Sequence, residues 1–184
     1  LKTRLVDCVG YLVNNAIGYL DDDMPRKLKT PRTNEEIPFE QAAEIGTRKV
    51  IQEHSTIGIL ITTDGTITDI PRQDYIEAEE RVVRELKEIN KTFVIVLTTD
   101  DPSSDYTIEL AQKLEKKYET PVLPTDCSRL NLDDINNIFG KILYEFPIET
   151  LNITFPKWVE GLNSEQWLNA ELNKEIQDAL AYIM

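Results

Sequence analysis

An aspartate three residues before a glycine, Asp7-Cys8-Val9-Gly10, follows the alternating stretch Leu1 to Val6. Those residue types at that spacing suit phosphoryl-transfer chemistry. The Asp7 carboxylate would hold Mg²⁺ through water. The backbone N–H of Gly10, with no Cβ in the way, could approach a γ-phosphate. Three more polar clusters stand at the ends of apolar runs. They are Thr62-Thr63-Asp64-Gly65-Thr66, Thr98-Thr99-Asp100-Asp101 and Thr125-Asp126-Cys127-Ser128. If each run is a strand of one sheet, four strand ends line a single rim, where open α/β sheets bind ligands. A turn cap is the lesser reading of Asp7, given the strand pattern before it and the glycine after it, and Asp64-Gly65 is a turn signal before it is a site.

The elements that must position these residues are legible in the hydrophobic pattern. Thr56 to Thr63, Thr92 to Leu97 and Pro121-Val-Leu-Pro read as strands, the first as a near-continuous apolar run covered on both faces. Pro38 to Ser55 reads as a helix that Gly46 weakens. Pro71 to Asn90 reads as a second, with Ile76, Val82, Val83, Leu86 and Ile89 on one face. Glu77–Arg81 and Glu80–Arg84 are i,i+4 pairs on its other face, and Asp69 is placed to cap it. Ser104 to Tyr118 and Leu132 to Tyr144 complete the helices, the latter with Ile135, Ile138, Phe139 and Ile142 inward. The repeated β-α order implies a parallel sheet with right-handed crossovers. Tyr11 to Ile37 breaks this rhythm. Its Asp21-Asp22-Asp23 reads as a solvated loop rather than a metal site, because nothing fixes a ligand geometry.

After Phe146-Pro147 the texture changes. Glu149 to Phe155 alternates like a strand, and Asn163 to Ile183 carries a helical apolar stripe opened by a capping box of Asn163 and Gln166. Trp158 and Trp167 are expected as core anchors. The predicted division is a core over residues 1–147 and the start of a following α/β domain over 148–184.

The 33 acidic and 20 basic residues leave a net charge of −13, which argues against binding nucleic-acid backbone and is compatible with a basic partner. No apolar run approaches the ~18 residues that a membrane span needs. Cys8 and Cys127 are too few for a disulfide framework and read as free thiols in a reducing compartment. His54 reads as a surface or packing residue. Arg48 and Lys49 read as a helix-face salt-bridge pair before they read as charges that stabilise a phosphoryl-transfer transition state.

These features together describe a P-loop nucleotidase core of the GTPase-like class, with a mostly parallel sheet. It is N-terminally incomplete, for the strand and helix carrying G-x-x-x-x-G-K-[ST] are not in the chain. In translation-factor-like GTPases the slot of Thr98 to Asp101 holds Asn-Lys-x-Asp, whose Asp pairs with guanine. Here Thr98 and Thr99 replace Asn and Lys, while Asp101 keeps the Asp place. Asp126 and Cys127 stand where such proteins keep Ser-Ala-Lys against the base. Thr98, Asp101, Asp126 and Cys127 are therefore candidate nucleotide-binding residues. With guanine recognition degraded, ATP is the expected nucleotide.

Long stretches then match one family. They include Arg4-Leu-Val-Asp-Cys-Val-Gly-Tyr11, Ile37-Pro-Phe39, Ala42 to Gly58, Ile61-Thr-Thr-Asp-Gly-Thr-Ile67 and Asp74 to Val82. The chain resembles the stage IV sporulation protein A family, ATPases that build the basement layer of the bacterial spore coat. The resemblance implies Mg²⁺-dependent ATP hydrolysis with Asp7 as the Mg²⁺ carboxylate and Gly10 at the γ-phosphate. It also implies self-association into polymers, a small amphipathic membrane-anchoring peptide and other coat proteins as partners, and a place in the mother-cell cytoplasm, peripheral to the forespore membrane. The chain alone, without a P-loop, is expected to be inactive. Two alternatives stand beside this: a GTPase with an unusual base site, and a non-catalytic scaffold on a nucleotidase fold.

Overall fold

The computed structural model describes residues 3–16, 20–21, 24–25, 27–29, 36–146, 152–160 and 167–183. Two small antiparallel pairs come first: β1 (Leu20–Asp21) with β2 (Met24–Pro25), and β3 (Lys27–Lys29) with β4 (Glu36–Pro38). Helix α1 (Phe39–Lys49) follows and continues into a π-helical turn over Val50–His54. The chain then alternates: β5 (Gly58–Thr63), α2 (Arg72–Glu88), β6 (Phe93–Thr98), α3 (Asp105–Tyr118), β7 (Val122–Thr125) and α4 (Leu132–Tyr144). The three strands form a parallel sheet in the order β5-β6-β7, so the predicted mixed α/β architecture is present. The chain divides into two units, Leu1–Glu145 and Phe146–Met184. The second contains α5 (Lys157–Glu160) and α6 (Trp167–Ile183).

Local chemistry explains the boundaries. Ser104 caps α3, its Oγ accepting from the Thr107 N–H. Asn131 and Asp134 form a capping box at the start of α4. Strand β6 is buried from Phe93 to Leu97, as a central parallel strand with both faces covered must be. The register sets Leu60 beside Ile95, and Ile95 beside Val122. Their face packs on Val82, Val83 and Leu86 of α2 and on Ala111, Leu114 and Tyr118 of α3. Gly58 permits that closeness, since a Cβ there would lie 3.1 Å from the Phe93 Cβ and 3.4 Å from a Leu86 methyl. Beneath α2 the Glu79 carboxylate is buried. It accepts from Thr62 Oγ1 at 2.6 Å, Tyr118 Oη at 2.7 Å and Arg72 Nη2 at 2.7 Å. Burial first, then the Glu79 hydrogen bond and charge, pushes the Tyr118 phenol well above its ordinary range.

Several expectations fail here for identifiable reasons. Residues 3–6 form no strand, and Leu5 is 78% exposed. An alternating segment becomes a strand only when a neighbour takes its backbone groups, and among the described residues none does. Strand β5 was expected to be covered on both faces, yet Ile59 and Ile61 are exposed. Among the described residues it is paired on one side only, by β6. Asp69 does not cap α2, which begins after Pro71 with no side-chain cap. The pairs Glu77–Arg81 and Glu80–Arg84 give way to another i,i+4 pair on α2 and to two reaches between helices. Arg81 binds Glu44 and Glu85, and Glu80 binds Lys117. Ile76 and Ile135 lie outward. In the second unit residues 152–156 form no strand, and Trp158 and Trp167 are exposed rather than core anchors. Asp22, Asp23 and the Asn163–Gln166 capping box lie outside the described residues.

Candidate functional site

The C-terminal rim of the sheet is built on one carboxylate. Thr63, Thr98 and Thr125 lie side by side at the ends of β5, β6 and β7, so the loops that follow are neighbours. The first loop begins with Asp64, which is 4% exposed. Its Oδ1 accepts from the Thr66 N–H at 3.0 Å and the Thr66 hydroxyl at 2.6 Å. Its Oδ2 accepts from the Thr99 hydroxyl at 2.6 Å and the Thr107 hydroxyl at 3.0 Å. Burial by itself would raise the Asp64 pKa. The hydrogen bonds from Thr66, Thr99 and Thr107 outweigh it and hold the carboxyl below its ordinary range. The same hydroxyls serve the second loop: the Asp100 N–H donates to Thr66 Oγ1 at 3.1 Å and the Asp101 N–H to Thr99 Oγ1 at 3.3 Å. Gly65 takes φ +95° directly beside the Arg72 backbone, 3.0 Å from where a Cβ would sit.

The four candidate nucleotide-binding residues fall on this rim. Thr98 ends β6, and its Oγ1 is buried with no hydrogen-bond partner among the described residues. Asp101 is exposed and accepts from the Ser103 N–H at 3.1 Å and its hydroxyl at 2.7 Å. Asp126 repeats that geometry after β7, accepting from the Ser128 N–H at 2.9 Å and its hydroxyl at 2.6 Å. The Ser128 hydroxyl holds the Asp126 carboxyl below its ordinary range. Cys127 is a partly buried free thiol, as is Cys8.

The phosphate-side candidates are held separately, against α1 and α2. Asp7 is exposed, and nothing among the described residues bonds its carboxylate. Gly10 takes φ +82°, where glycine is favoured, and its N–H donates to the Thr47 hydroxyl at 3.0 Å. The Thr47 hydroxyl also lies 3.3 Å from the Gly10 carbonyl, which accepts from it. Next, the Tyr11 hydroxyl donates to Glu85 at 2.5 Å, and the Arg81 guanidinium lies 5.3 Å from the Tyr11 ring centroid. Burial, then Glu85, pushes the Tyr11 phenol above its ordinary range. Arg48 meets Glu85 at 3.6 Å and Lys49 meets Glu53 at 3.3 Å, so both cations lie in salt bridges on the α1 side. His54 is exposed.

Sequence reasoning placed Thr66 and Thr99 in the strand-end clusters without giving either a hydrogen-bonding role, and missed Thr47 and Thr107 altogether. The available signal was the concentration of threonines at the strand ends: each can donate to a carboxylate while accepting from a backbone N–H. Among the described residues no group of three His, Cys, Asp or Glu is arranged to hold a metal ion. None of the described helices is long and apolar enough to cross a membrane.

Comparison with known proteins decides the family. Residues 1–147 match the model for the ATPase domain of stage IV sporulation protein A. The chain belongs to the stage IV sporulation protein A family. It is 50% identical over 180 residues to stage IV sporulation protein A of Bacillus anthracis, 49% to that of Bacillus subtilis (strain 168) and 45% to that of Clostridioides difficile (strain 630). Each match covers 98% of this chain and 37% of the relative, so the chain spans little more than a third of these relatives' length. No solved structure matches the chain. An ATPase domain implies nucleotide binding. Thr98, Asp101, Asp126 and Cys127 lie at or just after the C-terminal ends of parallel strands.

Proposed function

We propose that the chain is the Mg²⁺- and base-facing part of an ATPase whose hydrolysis of ATP drives self-assembly of the spore-coat basement layer. The observation that carries this is the match of residues 1–147 to an ATPase domain. The side chains present fit the group they would hold. Asp7 offers an exposed, unshared carboxylate to a hydrated cation, and Mg²⁺ keeps several waters and needs few protein oxygens. When bound, Mg²⁺ would neutralise charge that develops on the transferred phosphoryl group.

The chain's own residues supply the rest. The Gly10 N–H leaves the Thr47 hydroxyl to donate to a phosphate oxygen. Because Thr47 lies on α1, that exchange passes the nucleotide state to α1 and, through Tyr11 and Glu85, to α2. Asp101 and Thr98 face the base, with Asp126 and Cys127 beside them. The degraded guanine motif leaves adenine as the base read there. Polymer formation, anchoring by a small amphipathic membrane peptide, contact with other coat proteins and a site in the mother-cell cytoplasm at the forespore surface belong to this reading.

The test is phosphate release from ATP and from GTP by the full-length protein, with and without Asp7→Ala. ATP turnover that is lost in the variant is the expected result. Preference for GTP would make Asp101 a guanine contact and the protein a GTPase. No turnover of either nucleotide, with assembly unaltered by the substitution, would make it a structural scaffold.

A further inference from the structure

We infer that Asp64 is the positioning residue of the nucleotide-base loop, setting nucleotide affinity and base choice without touching the nucleotide; this rests on the reading of Asp101 as a base-side residue. Within the loop after β6, Ser103 and the Ser104 N–H bond back to Asp101, but its ties to the loop after β5 run through hydroxyls. The N–H groups of Asp100 and Asp101 end on the hydroxyls of Thr66 and Thr99, and both hydroxyls donate onward to Asp64. A third hydroxyl, of Thr107 in the first turn of α3, donates to the same carboxylate and accepts from the Ser104 hydroxyl at 2.8 Å. One buried carboxylate therefore joins the end of β5, the loop after β6 and the start of α3.

The chemistry requires an acceptor that cannot donate. An ionised carboxylate takes every hydroxyl proton offered to it, which leaves the lone pairs of Thr66 and Thr99 pointing at the loop N–H groups. Asparagine has the same shape but presents an NH₂ where one oxygen stood. Placed at Oδ1, that NH₂ would face the Thr66 N–H, a donor against a donor. Placed at Oδ2, it would turn the Thr99 and Thr107 hydroxyls into acceptors and take away the acceptor that orients their protons, so the Thr99 lone pair is no longer held toward the Asp101 N–H. A threonine relay aimed at a solvent-facing aspartate through its own backbone is more than the turn at Asp64-Gly65 needs, since the Thr63 hydroxyl already accepts from the Gly65 N–H at 3.0 Å.

The experiment measures steady-state ATP and GTP hydrolysis by full-length wild type, Asp64→Asn, Thr66→Val and Asp101→Ala. Asp64→Asn is expected to raise the KM for ATP about tenfold, the size of one lost charge-assisted hydrogen bond, with kcat within about twofold and the ATP-to-GTP preference narrowed. Asp101→Ala should move the same parameters. Thr66→Val leaves the carboxylate in place with its Thr66 N–H, Thr99 and Thr107 bonds, and removes the Asp100 link with the one hydroxyl bond that carries it, so it should give a smaller KM increase. It also carries the test if Asp64→Asn does not fold. Wild type that hydrolyses neither nucleotide would defeat the functional reading itself. Active wild type whose folded Asp64→Asn or Thr66→Val variants keep the parental KM and base preference, or lose kcat alone, would overturn the positioning role and leave the functional reading intact.

Discussion

The rim of the sheet and the segment from Thr3 to Ala16 carry the two halves of the candidate site and are held in opposite ways. On the rim, a single buried carboxylate takes hydrogen bonds from three threonines and ties two loops to a helix. Along the leading segment Leu5 and Val9 are exposed. Gly10 is attached to Thr47 and Tyr11 to Glu85, and Asn14 and Asn15 bond Asp74 and Glu77 of α2. The rim loops are therefore tied to one another by the protein's own hydrogen bonds, and the leading segment is clipped to helices. On the proposed function, a rigid base side would serve specificity, and the Gly10–Thr47 bond, which a phosphate oxygen would replace, would serve switching.

The sharpest way to break this contrast is at Glu79. Glu79→Ala strips the buried Arg72 guanidinium of its partner, and two of its nitrogens already lack one among the described residues. The expected loss is about 3–5 kcal/mol in urea denaturation of the full-length protein. Next, Leu97→Ala at a fully buried position of β6 should cost about 2–5 kcal/mol. Leu5→Ala in the leading segment should change stability by no more than about 0.5 kcal/mol. Equal effects from the two leucines would abolish the distinction between the regions. Tyr11→Phe should cost about 1 kcal/mol and, by removing the Glu85 bond, speed proteolytic cleavage between Gly10 and Ala16.

The smallest effect is a pH slope. The folded-state pKa of Asp64 is depressed, so its contribution is complete above the unfolded carboxylate value of about 3.9 and is lost as pH falls through the lower folded value. Urea midpoints should therefore drop more steeply below about pH 4 in wild type than in Asp64→Asn.

Much of this fold was legible because its signals are local. The helical patterns of Ser104 to Tyr118 and of Leu132 to Tyr144 mark α3 and α4, and continuous apolar character marks β6. What was not legible depends on partners distant in the chain. The alternation of Leu1 to Val6 is a strand pattern, but a strand also needs a neighbour. Trp158 and Trp167 carry large apolar rings whose burial depends on what packs against them, and composition says nothing of that. In the candidate site the residue types were readable: four candidates lie on the rim as expected of strand ends. The threonine relay was not, because Thr66, Thr99 and Thr107 become one system only after the β5-α2-β6 crossover has folded and α3 has begun.

That separation has a consequence for the order of assembly. The bond from Thr107 to Asp64 spans 43 residues, and the chain between them includes α2 and β6. Closing so long an interval costs chain entropy that the short-range helices do not incur, so the relay forms once both strands are already aligned. The Asp100 and Asp101 amides should thus gain protection from hydrogen exchange after those of β6 during refolding. On this account the nucleotide-base loop is the last feature of the sheet to mature.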